Sequence, residues 1–150
     1  ENIMVTSAGL VKVLDFGIAK RGNQPDATSP HRSESSLQAH VTAPGAVLGT
    51  VGYMSPEQAT GRPAGPQSDQ FAFGVILCEM LSGRRASQRR TTQETLAAVI
   101  HENPVPIARP RSRVTTGLHD VLGRCLAKEP GHRYADTREL LEALRRVRTS

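Results

Sequence analysis

The chain has 150 residues, enough for one domain with a real core, and its 3% aromatic content with no Trp makes that core an aliphatic one. Its net charge of +5 is spread along the chain rather than gathered into a basic run interleaved with aromatics, which argues against direct nucleic-acid binding. Five His without ligand spacing, two isolated Cys and no long apolar run argue in turn against a zinc site, a CxxC redox motif and a membrane span.

In chain order, Ile3-Met4-Val5 and Leu10–Leu14 are short apolar runs rich in β-branched residues, and Thr6-Ser7-Ala8-Gly9 lies between them. They predict a β-hairpin, with Gly9 taking the turn conformation that other residues resist. The second run closes on Asp15-Phe16-Gly17. Residues 21–46 are rich in Gly, Pro, Ser, Thr, Asn, Gln and His without a hydrophobic period, and are expected to form a mobile surface loop. Order is expected to return at Val47–Thr50 and Tyr53–Glu57, before a turn-rich piece at Gly61–Pro66.

Ser68–Gly83 predicts the central helix, with Ser68 and Asp69 suited to its start and Gly83 to its stop. Phe71, Ala72, Phe73, Val75, Ile76, Leu77, Cys78, Met80 and Leu81 leave no broad polar face, so burial on all sides is expected, with Asp69 at a buried helix start. A polar, basic stretch runs on to Arg90. Thr91 and Glu94 have capping-box spacing and open a helix carrying Leu96, Val99 and Ile100, which Asn103-Pro104 ends. Pro104–Pro110 reads as an extended linker. Leu118, Val121, Leu122, Cys125 and Leu126 then repeat at helical spacing. Asp136 and Glu139 form a second capping box before a last helix with Leu140, Leu141, Leu144 and Val147 on one face. Arg145, Arg146 and Arg148 suit the negative end of that helix dipole. Cys78 and Cys125 sit on apolar helical patterns and read as core residues of a reducing, cytoplasmic protein. The fold expected is mainly α with a small β-hairpin.

The hairpin carries the first chemical signal. Asn2 precedes it and Asp15 closes it, so the two ends come together when the chain turns back. An amide and a carboxylate oxygen suit Mg²⁺, although a hairpin with polar ends explains the same two residues. Five ordered pieces then resemble the protein kinases, specifically the bacterial serine/threonine kinases of eukaryotic type. Glu1–Val5 resembles the end of the catalytic loop and the strand after it. Val11–Gly17 resembles the metal-binding motif that opens the activation segment, and Gly49–Glu57 resembles its close. Ser68–Val75 resembles the family's central helix, and Pro130–Tyr134 the turn before its final helix.

The resemblance implies a partial kinase domain over residues 1–150, a C-lobe cut from an α+β catalytic domain, with residues 15–57 as an activation segment carrying a long flexible insert. It implies that Asn2 and Asp15 hold Mg²⁺, that Met4 lies beneath the adenine of ATP, and that Thr50 supports the acceptor site. Phe16 and Gly17 would set the active or inactive state, Asp69 would hold the catalytic loop, and Glu57 would pair with Arg133. Thr42 leads the candidate phosphosites, followed by Thr28, Ser33, Ser35 and Ser36.

Ser55 stands where Ala is commoner, and the family's catalytic base, Gly-rich loop, ATP-binding Lys and its Glu partner match no residue here. The partners implied are therefore protein substrates and the other half of the kinase domain. The isolated chain is expected to be inactive, with an apolar strip uncovered along Phe71–Leu81 and Leu118–Leu126. Bacterial relatives often carry a membrane anchor, which here would lie beyond Ser150. A pseudokinase or truncated protein-binding module is the alternative.

Overall fold

The computed structural model describes residues 3–13, 51–103 and 116–149. The chain divides into two units, Glu1–Arg32 and Ser33–Ser150. The expected loop over 21–46 and the linker over 104–110 lie outside the described residues.

The first unit holds the hairpin. Strands β1 (Ile3–Val5) and β2 (Val11–Val13) pair antiparallel, with Ile3 opposite Val13, Met4 opposite Lys12 and Val5 opposite Val11. The Thr6 carbonyl accepts from the Gly9 N–H at 2.9 Å and the Thr6 hydroxyl from the Leu10 N–H at 3.0 Å. Gly9 has φ 77°, the left-handed value a side chain would strain. Met4, Val5, Leu10 and Val11 are exposed, so the strands are held by backbone bonds more than by burial.

The second unit is helical: α1 (Pro56–Ala59), α2 (Pro66–Ser82), α3 (Thr92–His101), α4 (Thr116–Cys125), a 3₁₀ turn (Pro130–His132) and α5 (Thr137–Thr149). Helix α2 packs on α4, α4 on α5, and α1 on α3. One core cluster joins Phe71, Val75 and Cys78 of α2 to Val99 of α3 and to Leu122 and Leu126. A second joins Val121 and Cys125 to Tyr134 and Leu140. Helices α2 and α4 come close at Gly74, where a Cβ would stand 2.9 Å from Cys125 Cβ.

Caps mark the helix starts. At α3 the predicted box is complete: Thr91 Oγ1 accepts from Glu94 N at 3.1 Å and Glu94 Oε2 from Thr91 N at 3.2 Å. At α5 it is skewed, since Asp136 Oδ1 accepts from Glu139 N but Glu139 reaches Ala135 N instead of Asp136. A box the pattern did not suggest opens α1, between Ser55 and Gln58. Gly83 closes α2 at φ 69°, as expected of a left-handed stop.

Several expectations need correction. Helix α2 starts at Pro66, two residues before Ser68, because Pro at the first helical position gives up no hydrogen bond and Ser68 reaches back to Gly65 N at 3.2 Å. Asp69 is exposed, not buried: the buried arc runs through Ser68, Gln70, Phe71, Gly74, Val75 and Cys78, and the helical turn carries Asp69 to the far side. On that side Met80 is 76% exposed and Ile76 half-buried, so α2 is not covered all round, yet the anticipated apolar strip is mostly covered: Phe71, Val75, Cys78, Val121, Leu122, Cys125 and Leu126 are buried in the two clusters, and Phe73 packs on the second. On α5, Leu141 is exposed because it lies one helical step from the buried Leu140.

Candidate functional site

A polar cluster among the described residues is built around a buried ion pair. Glu57, in the first turn of α1, and Arg133, at the end of the 3₁₀ turn, are 3% and 2% exposed. Arg133 Nη1 donates to Glu57 Oε1 at 2.7 Å and Nη2 to Oε2 at 2.9 Å, the two parallel bonds that a guanidinium fork makes with a carboxylate. The remaining Arg133 donors go to carbonyls: Nη1 to Gln67 at 2.8 Å, Nη2 to Lys128 at 3.1 Å and Nε to Ala127 at 2.9 Å. All five guanidinium N–H groups are thereby used, which offsets the desolvation penalty of the buried cation. Ser68 Oγ adds a bond to Glu57 Oε1 at 2.6 Å.

Burial works to raise the Glu57 pKa. Hydrogen bonds from Arg133 and then Ser68 outweigh it and bring the value from 4.5 to about 2. The Arg133 guanidinium also lies 5.0 Å from the Phe71 ring centroid.

Two further clamps surround this pair. Gln70 donates to the Tyr134 carbonyl and accepts from the Tyr134 N–H, both at 3.1 Å, so one buried amide fixes the backbone next to Arg133. Lys128 Nζ donates to the Val99 carbonyl at 2.7 Å, and burial lowers its pKa. Near Val51–Glu57 the Tyr53 hydroxyl donates to Glu79 Oε2 at 2.6 Å, while Arg85 Nε lies 3.4 Å from Glu79 Oε1. Burial, then the bond to Glu79, raises the Tyr53 pKa. The segment that ends at Glu57 is thus tied at Tyr53 to the end of α2 and at Glu57 to the turn before α5.

The structure brings together Glu57 and Arg133 of the expected site residues. Met4 stands on β1, 51% exposed, and Asp69 is exposed on the first turn of α2. Asn2, Asp15, Phe16, Gly17, Thr50 and the candidate phosphosites Thr28, Ser33, Ser35, Ser36 and Thr42 lie outside the described residues. Ser68, Gln70 and Lys128 were not singled out from the sequence as site residues. Ser68 reads from sequence as a cap, and nothing local marks Gln70 or Lys128, because their partners are 64 and 29 positions away. Among the described residues no group of three His, Cys, Asp or Glu is placed to hold a metal. No described helix is long and apolar enough to cross a membrane.

The model for the family described as "Protein kinase domain" matches residues 1–144. A protein of Corynebacterium efficiens named "Serine/threonine-protein kinases drp72" is 36% identical over 98% of this chain and 25% of its own length. The Corynebacterium glutamicum protein "Serine/threonine-protein kinases PknA" is 33% identical over 98% of the chain and 28% of its own. "Serine/threonine-protein kinase PknB" of Mycolicibacterium smegmatis is 35% identical over 97% and 21%. The chain spans about a quarter of the length of these curated relatives.

Proposed function

The chain belongs to the protein kinase domain family, and on that premise we propose that it forms the C-terminal half of the catalytic domain of a serine/threonine kinase of the bacterial, eukaryotic-like type. The whole protein would transfer the γ-phosphoryl group of ATP to Ser or Thr hydroxyls of proteins. The observation that carries this reading is the Glu57–Arg133 pair. It closes the segment between Tyr53 and Glu57 onto a turn 76 positions away, joining two motifs that the kinase resemblance aligned separately.

In a kinase of this kind catalysis is mostly positioning and electrostatics. Mg²⁺, when bound, neutralises charge on the ATP phosphates. Asn2 and Asp15 would hold it: their amide and carboxylate oxygens are the donors a hard cation takes. The open end of the hairpin, at Ile3 and Val13, is the end from which the chain leads to both. Met4 would offer an apolar side chain to the adenine. Thr50 would support the acceptor hydroxyl, on a segment whose later residues are anchored at Tyr53 and Glu57. Asp69, exposed on the first turn of α2, would hold the catalytic loop. Phe16 and Gly17 would switch the opening of the activation segment, and phosphorylation at Thr42, or at Thr28, Ser33, Ser35 or Ser36, would add charge to its insert.

The test is transfer of radiolabelled phosphate from ATP with Mg²⁺ by the full-length protein that carries this segment. Transfer to Ser or Thr, abolished by Asp15→Ala, is expected. A folded full-length protein that transfers nothing would instead be a non-catalytic kinase-like binding module.

A further inference from the structure

The loop between α2 and α3 carries four arginines and no acid in the run Gly83-Arg84-Arg85-Ala86-Ser87-Gln88-Arg89-Arg90. It is a held loop. Gly83 turns the chain at φ 69°, Ser82 Oγ accepts from Arg84 N at 3.1 Å, and Ala86 and Ser87 are buried beneath it. At its far end Arg89 N donates to Thr95 Oγ1 at 3.0 Å. The exposed side chains of such a held loop meet a partner without first ordering the chain.

The four cations are unequally committed. Arg89 pairs with Glu102. Arg85 makes only a 3.4 Å contact to Glu79 at a site 40% exposed on the arginine side, and donates to Gln88 at 2.8 Å. Arg84 and Arg90 are exposed, with no ion pair among the described residues. Glu94, the other nearby acid, is occupied by the α3 capping box. Arg85 also lies 5.8 Å from the ring centroid of Tyr53, three positions after Thr50. Through Arg85 the basic loop thus touches Tyr53, in the Gly49–Glu57 stretch to which the kinase reading assigns the acceptor site.

We infer that Arg84 and Arg90, with Arg85 as an exchangeable third cation, form a docking surface that selects acidic peptide acceptors carrying Asp, Glu or a phosphorylated residue beside the target hydroxyl. The inference rests on the kinase reading above and specifies its substrate class. Exposed cations of this kind act mainly on encounter and ground-state binding, so the effect belongs in KM and fades with salt.

The experiment uses the full-length protein and three threonine peptides flanked by glutamate, alanine or lysine. The glutamate peptide is expected to have the lowest KM. The double variant Arg84→Ala/Arg90→Ala should raise that KM about three- to tenfold at low salt with kcat unchanged, and leave the alanine peptide unaffected. Arg84→Lys/Arg90→Lys should restore most of the loss, since point charge rather than fork geometry is at work. Preference for the lysine peptide, or an acidic-peptide KM that the double variant does not move, overturns the inference. Direct binding of a fluorescent glutamate peptide provides a readout apart from catalysis. Binding lost in the double variant, with no phosphate transferred to any peptide, would uphold the docking surface and sink the kinase reading. Arginine-dependent binding to single-stranded DNA or anionic vesicles that exceeds binding to the glutamate peptide would overturn acidic-peptide selection.

Discussion

At Glu57 the charged form is favoured by its partners, and the consequence can be read as a pH dependence. Its folded pKa of about 2 lies below the ordinary 4.5, so the unfolded chain binds the proton more tightly. The stabilisation is fully present above about pH 5 and is lost as pH falls toward 2; the difference corresponds to about 3 kcal/mol. Acid unfolding followed by circular dichroism should show a stability loss in that window, and Glu57→Gln should flatten it. Arg133→Met should cost roughly 3–5 kcal/mol in urea titrations, because it strands a buried carboxylate. Cys125 offers a second check: burial pushes its thiol up to about 11. In the folded protein Cys125 should resist alkylating reagents at neutral pH and react once urea unfolds the chain. Glu57 and Arg133 were legible because each sits in a motif whose order along the chain is distinctive. Ser68 and Gln70 were not, because a polar residue on the buried side of a helix is recognisable only once its distant partner is in place.

Among the elements, two glycines make opposite predictions. At Gly74 an added Cβ would stand 2.9 Å from Cys125 Cβ and 3.1 Å from Leu126, so Gly74→Ala must push α2 from α4. A net loss of about 1–2 kcal/mol is expected after the gain in helix propensity is set against it. Gly123 lies inside α4, is exposed and meets nothing within 4 Å, so Gly123→Ala should stabilise by about 0.5–1 kcal/mol. Paired urea melts of the two variants decide both. Helix α3, its box and its end before Asn103 followed from local chemistry, which is why the sequence placed them well. The start of α2 and the exposure of Asp69 did not. A helix apolar on nearly every side gives no phase, so sequence alone could not tell which arc faces the core. Gly74 settles that question only in three dimensions, by admitting α4 at close range.

For the molecule as a whole, the outer side of α2 shows Met80, 76% exposed, above the half-buried Ile76 and on the same side as the exposed Asp69. Large exposed apolar surface favours association. The 150-residue chain alone is expected to self-associate on size-exclusion chromatography, and Met80→Glu to reduce that association. The same chain alone is expected to show no transfer of radiolabelled phosphate from ATP, since positioning accounts for roughly 7–11 kcal/mol in well-aligned reactions and half of the nucleotide clamp matches no residue here. Transfer equal to that of an upstream-extended form would require the roles of Asn2, Asp15 and Thr50 to be redrawn. The overall class, mainly helical with one hairpin, was legible because the periodicities differ so plainly between residues 3–13 and the later helices.

The Glu57–Arg133 pair also fixes an order of events during biosynthesis. Glu57 leaves the ribosome 76 residues before the arginine that neutralises it. At about 5–20 residues per second, that is a wait of roughly 4–15 seconds. Throughout that interval the carboxylate lacks Arg133, the guanidinium it enters the core with, so it is expected to stay hydrated and the segment behind it to remain unlocked. A nascent chain stalled before Arg133 should therefore remain open to protease near Tyr53, and one stalled well past Tyr134 should be protected there.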